Sequence, residues 1–336
     1  MSVSGPEIWR KSSPGHCLAG LHWIRIAMQP TVFYRNLVRD NPTTPGIHRF
    51  PHGVAYFSAG RWWYSGLNFG GSALPVPIDQ QDLHTLKSWI QALFGDLESL
   101  ESDYRPGTAY KRISLPLNTG GSLHKTIDEK AITQSFVALK LLLTKMQDVF
   151  ETVEPAQANL QTHGHKIREL LLLAAMEVEA SWAAVLKANS YTGDRLTTKD
   201  YVKLLTPMLL DSFSLNLRSY PEFPTVAPFR NWTVQSPTQS LDWYDAYNQT
   251  KHNREECLEV ATLDRAVNAV GAAAVMFYAQ FGYKFQHDDE KRSLIRSIFT
   301  LKVDHEMHPT ACYIPNAEGG TKAWDWELLD YPFPSG

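Results

Sequence analysis

Cysteine is scarce in this sequence. Cys17, Cys257 and Cys312 are the only three in 336 residues, and they stand far apart. An odd, scattered set builds no disulfide framework, and without a CxxC pair there is no zinc knuckle to read. A reducing compartment, the cytoplasm, is the expected setting. An excess of positive charge is missing too. The balance of 32 Lys and Arg against 35 Asp and Glu leaves a net charge of −3. No global field therefore draws the chain to nucleic acid or to an anionic membrane, and any RNA contact has to be a local patch.

Long apolar runs are also absent. The best stretch, residues 266–282, is short for a membrane span, rich in Ala, and interrupted by Asn268 and Gln280. It reads as a close-packed helix, with Ala269, Gly271 and Ala273 letting another helix approach. No membrane partner is expected. The N-terminal residues lack a basic segment followed by an apolar one, so no secretory signal is read, and the sequons at Asn231 and Asn248 carry no weight. No GxGxxG follows a strand, and there is no P-loop or G-x-S-x-G. Thr119-Gly120-Gly121-Ser122 is a turn without phosphate-loop spacing. No cofactor is implied. His305-Glu306-Met307-His308, with His287-Asp288-Asp289 upstream, misses the i,i+4 histidine spacing that puts two ligands on one helix face, and Pro309 ends any helix there. His163-Gly164-His165 has the same weakness. No metal site is expected.

What is present is helical periodicity. The expected fold is mainly α: an antiparallel helical bundle over residues 126–304, a smaller mixed α/β part over residues 1–125, and an extended tail over residues 305–336 laid against the bundle. In the front part, Val54-Ala55-Tyr56-Phe57 and Arg61-Trp62-Trp63-Tyr64 flank Ser58-Ala59-Gly60 and predict a hairpin. Its aromatic, basic composition fits either base stacking or a small core, and the core reading is preferred. A helix is predicted from Asp82 to about Ser102, with Leu83, Leu86, Trp89, Ile90 and Leu93 on one face. A linker is expected near residues 104–126.

Further helices are predicted over residues 126–153, ended by Pro155, and over residues 156–189, with an inner stripe of Leu171, Ala174, Val178, Trp182 and Val185. Others are predicted from Thr198 to about Leu215 with a break at Pro207, over residues 241–260, and over residues 263–283. Residues 218–240 read as a Pro-rich loop.

One stretch carries the pattern of a reactive site: Trp243-Tyr244-Asp245-Ala246-Tyr247-Asn248-Gln249-Thr250-Lys251-His252-Asn253-Arg254. Asn248 and His252 are four apart and share a helix face, with Asp245 one turn earlier. An imidazole oriented by an amide is a general acid or base near neutral pH, and Lys251 and Arg254 put positive charge beside it. Attack of an RNA 2′-hydroxyl on its own phosphate needs these functions, a proton shuttle and a cation for the phosphorane, and needs no metal. The plainer reading of the same residues is structural hydrogen bonding, with Lys251 and Glu255 as an i,i+4 surface pair.

The stretch resembles the HEPN superfamily, small helical bundles that are often dimeric and often metal-independent RNases of bacterial defence and toxin systems. The family motif is an arginine, a polar residue such as Asn, about three further residues and a histidine. Asn248 and His252 match it. The arginine position holds Tyr247, so either Lys251 or Arg254 supplies the missing charge, or the chain is a non-catalytic member. The family tends to carry an acidic residue on an earlier helix, and Glu177 and Glu179 fit that placement. The resemblance covers residues 127–283. It implies an RNA-binding protein acting as a metal-independent endoribonuclease and a homodimer through the bundle. His252 would be the acid/base, Asn248 its orienting amide, Lys251 or Arg254 the phosphate cation, and Glu177 or Glu179 the anchor for that cation. The alternative is a non-catalytic dimerisation or partner-binding scaffold.

Overall fold

The computed structural model describes residues 31–34, 37–40, 47–50, 53–58, 61–68, 71–72, 76–78, 83–96, 98–101, 106–115, 128–193, 195–253, 257–286, 289–303, 313–314 and 326–334. Arg254, Cys17, Cys312, residues 119–122 and residues 305–308 lie outside them. Within the described residues the protein is mainly α.

The front part is a sheet. Strands β1 (Thr31–Tyr34), β4 (Gly53–Ser58), β5 (Arg61–Asn68), β6 (Gly71–Ser72), β7 (Val76–Ile78) and β8 (Glu98–Glu101) form it in the order β6-β5-β4-β1-β8, with β7 also on β5. β2 (Leu37–Asp40) and β3 (Ile47–Phe50) pair separately. The expected hairpin is β4–β5, in antiparallel register from Gly53↔Gly66 to Ser58↔Arg61. Val54, Ala55, Tyr56, Trp62 and Tyr64 are buried, so this aromatic cluster is chiefly core. Helix α1 (Leu83–Phe94) is shorter than expected: Gly95, at φ 83, leaves the helical region, and the chain then turns into β8. Ile90 is buried, but Trp89 stays 38% exposed with its edge against Tyr64.

The second part is built of α2 (Glu129–Phe150), α3 (His165–Ala188), α5 (Asp242–His252), α6 (Leu263–Gln286) and α7 (Asp289–Ile298), with the single turn α4 (Thr198–Tyr201). Asp128 caps α2 by accepting from the Lys130 and Ala131 amides. α3 begins at His165, later than predicted, because Pro155 and a 3-10 turn at Gln157–Asn159 occupy the first part of the segment. The stripe of Leu171, Ala174, Val178, Trp182 and Val185 is fully buried, as its spacing predicts.

From Ala269 to Gly282 every residue of α6 is buried, so this stretch is enclosed on all sides. It contacts α2, α3, α5 and α7. Its Gly271, expected to admit a helix, instead admits the Val226 side chain, because an added Cβ would lie 2.6 Å from Val226 Cγ1. Leu263 N donates to Thr162 O where α6 begins. At its other end Arg112 Nε donates to Gln280 Oε1 and Ser114 N to Ala279 O.

The helix predicted from Thr198 to Leu215 is mostly something else. A capping box of Thr197 and Asp200 starts α4, but 3-10 turns follow, and Phe213–Leu217 is strand β10, antiparallel to β11 (Phe299–Val303). Alternation of Phe213, Leu215 and Leu217, all buried, is a period-two signal. The Pro-rich residues 218–240 hold no helix or strand, as expected, but part of this loop turns inward. Phe223, Phe229 and Trp232 are buried, and Trp232 Nε1 donates to Pro237 O.

The described tail residues meet β9 and the end of α3. Its strand β12 (Glu327–Leu329) runs parallel to β9 (Thr108–Tyr110), Asp330 pairs with Lys111, and Tyr331 N donates to Asn189 Oδ1.

Candidate functional site

Charge placement explains why α5 forms. Asp242 and Asp245 lie in its first turn and Lys251 and His252 in its last, each opposite to the end of the helix dipole it faces. Trp243, Tyr244, Ala246, Tyr247 and Thr250 point inward. The helix stops at His252, with Asn253 as its C-cap, so it does not reach residue 260 as predicted; Glu255, of the expected Lys251–Glu255 pair, lies outside the described residues.

The inward face meets α3. Glu179 accepts hydrogen bonds from the hydroxyls of Tyr244 and, at 2.9 Å, of Tyr247. Lys251 Nζ donates to the Tyr247 hydroxyl at 3.0 Å and lies 5.0 Å from the centre of its ring. A continuous chain thus runs from a carboxylate on α3, through a buried phenol, to an ammonium at the surface. Burial and the Glu179 charge push the Tyr244 hydroxyl far above the ordinary tyrosine range. Burial, opposed by the bond from Lys251, raises Tyr247 as well. Both phenols are therefore donors and neither is a base. The bond to Tyr247 raises the Lys251 ammonium, which stays charged. Behind this face stands an aromatic wall. Trp182 stacks on Trp232 at 4.9 Å and packs against Tyr201, Phe229, Trp243 and Tyr244.

The residues singled out from sequence divide as follows. Tyr247, Lys251 and Glu179 come together. His252 and Lys251 stand exposed side by side at the end of α5. Asn248 shares the face with His252, but its Nδ2 donates to Tyr244 O at 2.9 Å, one turn the other way. Glu177 points elsewhere. Its carboxyl is raised by burial and held down by the Arg112 guanidinium, which also feels Asp128. Of the two acids, Glu179 is the one that serves α5. Arg265 grips Asp242, with Nε at 2.7 Å and Nη2 at 2.8 Å, and so does not serve that carboxylate. Sequence reasoning missed Tyr244 and Tyr201. Tyr244 was legible as the residue three before Tyr247 on the same helix face.

Among the described residues no group of His, Cys, Asp and Glu is placed to hold a metal, and no helix is long and apolar enough to cross a membrane. No protein-family model, curated protein or solved structure matches the chain.

Proposed function

We propose that this is a HEPN-like helical-bundle protein that binds RNA at the C-terminal end of α5 and cleaves it without a metal. The observation that carries this reading is the exposed His252 beside a Lys251 whose ammonium is held in place through Tyr247 by Glu179. In that arrangement His252 takes the proton from a 2′-hydroxyl as its oxygen attacks phosphorus. Lys251 steadies the phosphorane, the P–O5′ bond breaks, and the leaving 5′-oxygen takes the proton from the His252 imidazolium. The products are a 2′,3′-cyclic phosphate and a 5′-hydroxyl. Tyr247 does not replace the family's arginine. It converts that position into a link between Lys251 and its counter-charge.

The bundle itself belongs to the proposal. Lys145, late in α2, pairs at 2.6 Å with Glu169, early in α3, which supports α2 running against α3. The bond from Leu263 N to Thr162 O supports α6 running with α3. The arrangement is therefore a bundle of mixed directions.

The decisive assay is incubation of purified protein with single-stranded RNA and tRNA in EDTA. Cleavage is expected from wild type and not from a folded His252→Ala variant, with cyclic-phosphate ends on the products. Equal cleavage by both would remove His252 from the mechanism.

A second reading, the dimerisation scaffold, rests on a different surface. Val137 and Leu141 on α2, and Leu173 and Met176 on α3, are 49%, 59%, 36% and 55% exposed. The Lys145–Glu169 pair sets Leu141 and Leu173 each one turn further along, so the four form one apolar stripe. Such a stripe suits a two-fold contact with a second copy. The two readings are compatible, since a dimer brings two α5 ends into one assembly.

A further inference from the structure

The last turn of α2 carries charge of the wrong sign for its position. It reads Gln147-Asp148-Val149-Phe150, its C-cap is Glu151 and Glu154 follows, with no basic residue among them. A helix C-terminus is the negative end of the macrodipole, roughly half an elementary charge, and favours a cation beside it. Here the acids add to the negative end. α7 is different, with Arg296 in its own last turn.

Both helices end at one cavity of about 240 Å³. Gln147, Phe150 and Glu151 line it from α2, and Ser297 and Ile298 line it from α7. The end of β10 joins them there, because Leu217 pairs with Phe299, the residue after α7, and Arg218 N donates to Ile298 O. Just beyond β10 the Tyr220 amide donates back to Leu217 O. That turn brings the Tyr220 ring, which also lines the cavity, to 5.3 Å from the Phe150 ring at an interplanar angle of 73°. The Ser297 hydroxyl donates to Leu294 O at 2.7 Å, so its oxygen is left as an acceptor. Neither Arg296 nor Arg218 lines the cavity.

This combination selects one ligand chemistry. Two rings set nearly at right angles attract a cation through their quadrupoles, and alkylated ammonium ions are the cations such cages recognise. Glu151 and the end of α2 supply the counter-charge, while Leu217 and Ile298 offer apolar contact to alkyl groups. The same charges repel an anion, so a phosphate carried beside the ammonium weakens the fit. The volume falls below the roughly 300–1,000 Å³ of pockets for drug-sized molecules, so the ligand is small.

We propose that the cavity at the ends of α2 and α7 binds a small alkylated ammonium ion, of the size of choline and free of phosphate, with Phe150 and Tyr220 against its alkyl groups and Glu151 as its counter-charge. The site shares no residue with the end of α5 and does not depend on the RNA reading.

The test is a saturation-transfer NMR titration of the full chain, which reads weak binding, with three probes: choline, its uncharged isostere with carbon in place of nitrogen, and phosphocholine. Choline is expected to bind, and the isostere and phosphocholine to bind roughly tenfold more weakly. Tyr220→Leu should lower the choline affinity roughly three- to thirtyfold, the scale of a cation–π contact, whereas Tyr220→Phe keeps the ring and should keep the affinity. Glu151→Gln should weaken choline and leave the isostere unchanged. Glu151 is exposed, so the melting curve of that variant should match wild type, and it reads the site even if Tyr220→Leu loosens the fold. No binding of choline, or equal binding of choline and its isostere, would overturn the proposal. Choline binding untouched by both Glu151→Gln and Tyr220→Leu would remove the ligand from this cavity. Phosphocholine binding as tightly as choline would overturn the phosphate-free assignment.

Discussion

Glu179 shows how much a single position can decide. From the sequence, Glu177 and Glu179 are two carboxylates about 200° apart on one helix, either of which could serve a cation. Periodicity fixes their angular separation but not what stands opposite each. The fold sets Glu177 toward Arg112 and Glu179 beneath Tyr244 and Tyr247. Glu179→Ala would strand two buried phenol hydroxyls, at about 1–3 kcal/mol for each unsatisfied group. Urea denaturation should show a loss of that order, and Tyr247→Phe, which removes only one donor, should cost about 1 kcal/mol. If the Glu179 network positions Lys251, both variants should also weaken RNA binding while leaving His252 in place. A stability loss without any change in binding would make the network purely structural.

At the scale of elements, the long periodic helices were legible and the short pieces were not. α2, α3 and α6 were all predicted, with errors confined to their ends. The error over residues 198–215 has a physical source. The capping signal at Thr197 and Asp200 is real, but pairing with β11 overrides it after one turn, and that partner lies far along the chain. Gly271 carries a related lesson. Small residues announced a close approach, yet only the fold names Val226 as what approaches. Gly271→Ala should destabilise by about 1–3 kcal/mol, because Val226 is buried and cannot retreat freely. A lowered midpoint in denaturant at unchanged m-value would confirm it.

The tail should respond to acid. Bonds from Lys111 and Ser190 hold the Asp330 carboxyl below its ordinary value of 3.8. A depressed folded value means that the contribution is complete above 3.8 and is lost as pH falls through the lower, folded value. Amide protection factors over residues 327–333, referenced to intrinsic exchange at each pH, should drop in that acid window. Asp330→Asn should show reduced protection already at neutral pH and little further acid dependence. Unchanged protection in the variant would mean that β12 and the Tyr331 bond to Asn189 hold the tail unaided.

For the whole molecule, the predicted consequence is association. The stripe of Val137, Leu141, Leu173 and Met176 should hold a dimer that Leu141→Glu with Met176→Glu converts to monomer in analytical ultracentrifugation. All four side chains are exposed in the single chain, so the melting temperature of the monomer should change little. A wild type that sediments as a monomer at every concentration would dismiss the contact.

The chain's own order of residues determined where the long helices lie, which stripe of α3 is buried, and that Asn248 and His252 share one helix face. These are local properties, set by spacing within a few turns and by caps and breakers a few residues away. Tertiary structure alone decided that Tyr247 bonds to Glu179 rather than facing solvent, and that Phe223, Phe229 and Trp232 of the Pro-rich loop turn inward as aromatic packing. Those outcomes depend on which of many compatible faces meet, and that choice is made by burial and charge summed over segments distant in sequence, which no window along the chain contains.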